Sequence, residues 1–364
     1  MEFHDRYRLT RIINARGSFT PLGVSRSSAT VGAAVAEALQ HYVMIDELQD
    51  LASRTLARLT GADAAAVTHC VAAGITQSVA AAMAGTCPDK IALLPDATSM
   101  TRRVILPATH TVNYGHPITQ AIRLAGAVPV LAGTADECSL ADIEKALDHT
   151  DTGCLLLVSS RLTAGTSVDL KAATALAHRR SVPVILDGAA QDLRIPELLA
   201  TKADLVLVSA HKYMASPTAG LAIGRRDFID AFRAQERGIG RGMKATKEAI
   251  IGVLAALEER VDLDLATWQV MQAKKLASFV DRANRINGIE ARTVADPAGM
   301  PFGRAHLRLD IAQTPSLVAA LKNGTPPIWV MEENIADEEI VFELVQTSEE
   351  EIDIILSRLS TLLT

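Results

Sequence analysis

Residues 204–220 read DLVLVSAHKYMASPTAG. Five of the first six positions after Asp204 are Leu, Val or Ser, as in a strand buried on both faces, yet the run leads into Ser209, His211 and Lys212. An ammonium group resists desolvation unless it is paired or neutralised. A lysine held partly dry has a lowered pKa and attacks carbonyl groups. The stretch therefore reads as a buried strand that delivers a reactive amine.

A second buried run, VPVILDGAAQD at 182–192, delivers Asp187, which precedes Lys212 by 25 residues. On adjacent strands the two side chains would face one crevice. A pyridoxal phosphate enzyme needs this pair, a lysine for the Schiff base and a carboxylate to keep the pyridine nitrogen protonated. Read alone, Asp187 is also compatible with a turn or cap after a strand, and Lys212 with a solvated strand end. A phosphate cradle is expected in CVAAGITQSVA, where Ala73, Gly74 and Ile75 would open a helix whose N–H groups and dipole favour an anion. Close helix packing explains the same small residues. Ser209 stands three residues before the lysine and offers a hydroxyl to that phosphate.

Around these runs, helical segments such as ITQAIRLAG, SLADIEKALDH and DLKAATALAHRR alternate with short apolar runs, KIALLP, RVILP, AVPVLAG, CLLLVSS and GLAIG. Strands joined through helices are mostly parallel, with functional ends at their carboxyl edge. From about Lys247 the pattern changes to one long helix, the strands IEARTV, AHLRLDI, PIWVME and VFELV, and a final helix. The expected fold is α/β: a large domain over 61–250 with a mostly parallel central sheet flanked by helices, and a small α+β domain over 251–364. Residues 1–60 form an amino-terminal segment.

The chain has 364 residues, 49% of them hydrophobic, enough for a large core. A formal net charge of −6 argues against a nucleic-acid surface. No apolar run approaches the roughly 18 residues of a membrane span, and the first ten residues, MEFHDRYRLT, lack the apolar core of a signal peptide. Cys70, Cys87, Cys138 and Cys154 form no CxxC pair, so neither a disulfide nor a metal site is expected. A cytoplasmic protein without nucleic-acid or membrane partners is the expectation.

SAHKYMASPTAGLAIGRRDFI, with VILDGAAQD before it and GRGMKATKEAIIGVLAALE after it, resembles the fold-type-I pyridoxal phosphate enzymes of the selenocysteine-synthase-like group, ammonia-lyases included. INARGSFTPLG and TQAIRLAGA extend the resemblance over about residues 10 to 260. It implies Lys212 as the Schiff-base lysine, Asp187 at the ring nitrogen, Ala189 or Ala190 beneath the ring, the 73–75 turn at the phosphate, and a homodimer or larger homo-oligomer. By the same resemblance, residues 1–60 are expected to contribute to the active site and to a dimer. Selenium transferases of the group carry an additional amino-terminal region for tRNA, whereas this chain starts close to its catalytic domain, so that activity is not expected.

Many fold-type-I enzymes grip a substrate carboxylate with a small-domain arginine, and PPIWVMEEN and VFELVQTS contain none. Arg16, Arg26, Arg102, Arg161 and Arg241 are the alternatives, each equally readable as a surface residue. His110, His116 and Tyr114, in PATHTVNYGHP, compete for the place over the cofactor ring. Arg237, Arg241, Lys244 and Lys247 form a basic cluster that suits a phosphate or a solvated face. The function expected is a lyase acting on an amino acid or amino sugar acid by α-proton abstraction and β-elimination. Racemisation, aldol cleavage and transamination share every residue named. A selenium or sulfur transferase on aminoacyl-tRNA and a non-catalytic cofactor binder are the readings from other classes.

Overall fold

The computed structural model describes residues 3–309 and 314–363. The chain divides into two compact units, Ser27–Asp262 and, together, Met1–Arg26 with Leu263–Thr364.

The 27–262 unit is built on a seven-stranded sheet. Its strands are β1 (Ala64–Thr68), β2 (Arg103–Pro107), β3 (Val128–Ala132), β4 (Thr152–Val158), β5 (Val184–Asp187), β6 (Leu205–Ser209) and β7 (Gly220–Gly224). The spatial order is β1-β7-β6-β5-β4-β2-β3. β2 to β6 run parallel to one another, and β7 is antiparallel to both β1 and β6. β5, β6 and β7 are buried along their whole length, which explains their unbroken apolar runs.

Helices cover the sheet and start where the sequence caps them. Ser139 and Asp142 form a capping box on Leu140–Leu147, and Asp169 accepts from Ala172 N–H at 3.0 Å to open Leu170–His178. The helix Val71–Ala84 is buried along most of its length against the sheet. A β-carbon added at Gly74 would sit 3.1 Å from Leu207 Cδ2, so glycine serves packing there.

In the other unit, Glu290–Ala295, Gly303–Arg308 and Glu339–Phe342 form an antiparallel sheet. Ile13–Asn14 pairs in parallel with Ile328–Trp329, which is why residues 1–26 belong with this unit. Phe279 and Phe342 pack at 5.4 Å in its core.

Two elements differ from the sequence expectation, and the strand GLAIG, found as expected, is an antiparallel member of the mostly parallel sheet. KIALLP is not a strand: Pro88–Leu93 is a short helix in which Ile91 is the buried residue. Proline at its first turn preorganises a helix, and so short an apolar run carries no decisive periodicity. GLAIG joins the sheet antiparallel, because it follows β6 through a loop too short for a crossover. The single long carboxy-terminal helix is two, Lys247–Val261 and Leu265–Ala283. Asp264 breaks it by accepting from the N–H groups of Ala266 and Thr267 at 3.1 and 3.2 Å, and the division between units falls at this break.

Candidate active site

The carboxyl ends of β5 and β6 carry Asp187 and Ser209 to one edge of the sheet, with Lys212 in the loop after β6. Main-chain bonds tie the two exits together: Gly188 N–H donates to Leu207 O at 2.8 Å and Ser209 N–H to Ala189 O at 3.0 Å. The lysine loop is closed by Ala210 N–H to Ala219 O at 3.0 Å and Ala215 N–H to Lys212 O at 3.2 Å, with Ala215 in the left-handed region at φ 56°. His211, half-buried, lays its Nδ1 2.8 Å from the Ala219 carbonyl oxygen. Burial, and then the Lys212 and His69 charges, hold its pKa below the ordinary value against that backbone contact.

Asp187 is 4% exposed, and its Oδ1 accepts from Ala189 N–H at 2.9 Å. Burial pushes its carboxyl up to about 6, opposed by the Ala189 hydrogen bond and by the Lys212 ammonium. Keeping that carboxylate ionised at neutral pH costs the protein about 3 kcal/mol relative to the unfolded chain. A positive group placed beside it recovers the cost, so the carboxylate is poised to receive a cation.

The 108–116 segment brings Tyr114 within reach of the Asp187 charge. Tyr114 has a buried hydroxyl with no hydrogen-bond partner. Burial foremost, then the Asp187 and Cys70 charges, raise its pKa, so it stays a neutral phenol. His116 packs edge-on against it at 4.7 Å. His110 is 3% exposed and neutral, its pKa lowered to about 4 by burial. Its Nδ1 accepts from Val158 N–H at 3.1 Å, which puts the ring proton on Nε2.

The helix in which a phosphate cradle was expected starts earlier, at Val71. Cys70 is its N-cap and supplies no side-chain hydrogen bond, leaving the N–H groups of Val71, Ala72 and Ala73 without intrahelical partners. Gly74 N–H is already taken by Cys70 O at 2.8 Å, and Ile75 is fully buried inside the helix. Of the three expected residues, Ala73 alone lies in the first turn. Gly220 is the glycine required here, since its β-carbon would meet Cys70 C at 2.7 Å and Val71 N at 2.9 Å.

The arginine candidates scatter. In the 1–26 and 263–364 unit, Arg16 donates to Glu333 at 2.9 Å and to Val330 O at 3.0 Å, and Arg26 makes a two-pronged pair with Glu351 at 2.9 and 3.0 Å. Arg304, on a neighbouring strand to VFELVQTS, is buried between Glu343, 2.8 Å away, and Asp296. In the 27–262 unit, Arg102 precedes β2 and lies at the opposite edge of the sheet from Asp187. Arg161 is exposed after β4, and Arg241 is exposed in the turn Ile239–Met243. That turn is held to the site by His69 N–H, which donates to Met243 O at 2.9 Å. The sequence reading missed Asp192, although it ends the quoted VILDGAAQD: its carboxyl is buried beside Arg260 Nη2 at 3.3 Å and feels the Lys212 charge. An acid shortly after a strand reads as a helix cap, and nothing in the sequence marks its burial.

A buried carboxylate ending one strand and a lysine in the loop after the parallel strand beside it fit a fold-type-I pyridoxal phosphate enzyme. The chain belongs to the beta-eliminating lyase family, which matches residues 29–296. D-glucosaminate-6-phosphate ammonia lyase of Salmonella typhimurium is 30% identical over 96% of this chain and 95% of its own. A solved structure of a D-glucosaminate-6-phosphate ammonia-lyase superposes with a TM-score of 0.89 at 29% identity, covering 100% of this chain and 98% of that one. 5'-C-glycyluridine monooxygenase-decarboxylase of a Streptomyces species is also 30% identical, over 88% of this chain and 81% of its own. The protein is an enzyme, a lyase with pyridoxal 5'-phosphate as cofactor. Among the described residues no helix is long and apolar enough to cross a membrane.

Proposed function

We propose that the enzyme releases ammonia from an amino acid or amino sugar acid by α-proton abstraction and β-elimination, with Lys212 as the cofactor-bearing lysine and Asp187 at the ring nitrogen. One observation carries the assignment: a fully desolvated carboxylate and a lysine whose charge it feels reach the same sheet edge. The surrounding groups fit the cofactor. Val71, Ala72 and Ala73 present open N–H groups suited to its phosphate, Ser209 adds a hydroxyl, Ala189 offers a small surface, and the orphaned Tyr114 hydroxyl lacks only an acceptor. Bound pyridoxal phosphate supplies an electron sink for the pair left when the α proton departs. Asp187 holds a proton on the ring nitrogen, Lys212 Nζ takes the α proton, and His110 keeps a donor at Nε2.

Loss of that proton and of a hydroxyl on the next carbon, followed by hydrolysis, gives ammonia and a 2-oxo acid. The near full-length likeness to D-glucosaminate-6-phosphate ammonia lyase supports a phosphorylated amino sugar acid as substrate. Arg161, Arg241 and His116 are the groups of the 27–262 unit proposed to meet its anionic ends. Holoenzyme supplied with D-glucosaminate 6-phosphate is expected to release ammonia and a 2-oxo acid in equal amounts without consuming oxygen. Oxygen uptake with loss of carbon dioxide, or no ammonia from this substrate or from D- and L-amino acids, would contradict the reading.

The assembly proposed is a cytoplasmic homodimer or larger homo-oligomer. Its support is an apolar run on the 27–262 unit, where Leu39, Tyr42, Val43, Met44, Ile45 and Leu51 are exposed, Tyr42 fully so, together with cysteines that are all free. Contiguous apolar surface of this kind marks an association site. Tyr42→Asp combined with Met44→Asp is expected to shift the mass in solution, measured by light scattering, toward the monomer. A wild-type protein that is monomeric at micromolar concentration would contradict the assembly.

A further inference from the structure

We propose that Asp192 is a positioning residue for the reaction, holding with Arg260 the loop that bears Lys212 and supplying a second negative charge to the amine. The inference rests on Lys212 being the cofactor-bearing lysine. Asp192 opens the short turn Asp192–Arg194 and its side chain is fully buried. Oδ2 lies 3.3 Å from Arg260 Nη2, while Oδ1 is buried and makes no hydrogen bond. The charges of Arg260 and Lys212 and the main-chain N–H of Met214, two residues beyond the lysine, act on the carboxyl.

The groups facing this carboxyl are Arg260 from the helix Lys247–Val261 and Lys212 from the lysine loop. Lys212 in turn acts on Asp187 at the end of β5 and on the neighbouring His211, which also feels His69. With Asp187 assigned to the ring nitrogen, Asp192 is the other buried carboxylate on which the Lys212 charge acts, and it is the one that Arg260 contacts. A fully buried carboxylate with one unsatisfied oxygen is a costly device for shape alone, since a neutral side chain of similar size avoids the desolvation. Its charge raises the proton affinity of a nearby amine, and removing it lowers that affinity.

The test is the pH midpoint of the visible absorbance of the bound cofactor in holoenzyme. Asp192→Asn is expected to move the midpoint down by about one pH unit and to lower kcat with little change in KM, while Asp192→Glu keeps the wild-type midpoint. Should Asp192→Asn not yield folded protein, Asp192→Ser is read in the same way. An unmoved midpoint in a folded, cofactor-loaded neutral variant, or equal shifts with Asn and Glu, would overturn the proposal. A wild-type protein that takes up cofactor without involving Lys212 would instead fail the reading on which it rests.

Discussion

Lys212→Ala is expected to lose turnover by about 10⁴-fold or more, because one amine serves both as the covalent holder of the cofactor and as the base for the α proton, and each role alone contributes a large factor. The side chain stands in a half-buried loop whose shape is set by main-chain bonds at Ala210, Ala215 and Ala219, so the variant should fold. Ammonia release measured against wild type checks the loss of activity. Dialysis checks the loss of covalent retention, since the variant should give up a cofactor that wild type keeps. Activity above a few per cent of wild type in the variant would move the chemistry to another residue.

Asp187→Asn is expected to separate stability from function. In the ring-nitrogen role the carboxylate is needed most as the substrate carbanion develops, so the loss falls on kcat and kcat/KM together, about 3 to 5 kcal/mol or roughly a hundredfold to a few thousandfold. Cofactor-free protein should respond in the opposite sense. The carboxyl has a folded pKa of about 6 against an ordinary 3.8, so the folded state resists its ionisation. That penalty is absent below pH 3.8, grows as pH rises toward 6, and is full above it. Asparagine can still accept from Ala189 N–H and carries no charge. The apo variant should therefore match wild type in urea unfolding near pH 4 and exceed it by up to about 3 kcal/mol at pH 8. An Asn variant with normal turnover would make Asp187 a mere turn residue, and one with no stability gain at pH 8 would contradict the desolvated carboxylate.

The sheet, and the gathering of Asp187, Ser209 and Lys212 at one end of it, were legible because β5 and β6 are buried on both faces, leaving continuous apolar runs whose polar ends stand out, Asp187 on one and Ser209 with Lys212 beyond the other. What was not legible depends on contacts distant in sequence. Gly220 looks like any strand glycine until Cys70 and Val71 are brought against it. The open N–H groups lie at Val71 to Ala73, because the cap is set by the Cys70 backbone and not by a capping side chain, the usual sequence mark of a helix start. Gly74 belongs to packing against Leu207. Asp192 is an ordinary polar residue in the sequence and becomes a buried one through Arg260, 68 residues later. Arg16 and Arg26 were reasonable anion ligands by type, and Glu333 and Glu351 occupy them. The Asp264 cap that splits the last long helix was visible as a residue, but helical periodicity on both sides concealed it.

Borohydride reduction of the holoenzyme, followed by mass spectrometry of its peptides, tests the central assignment most directly. The account predicts a single stable pyridoxyl adduct on the peptide containing Lys212. An adduct on another lysine of the same region, Lys244 above all, with Lys212 unmodified, would contradict it.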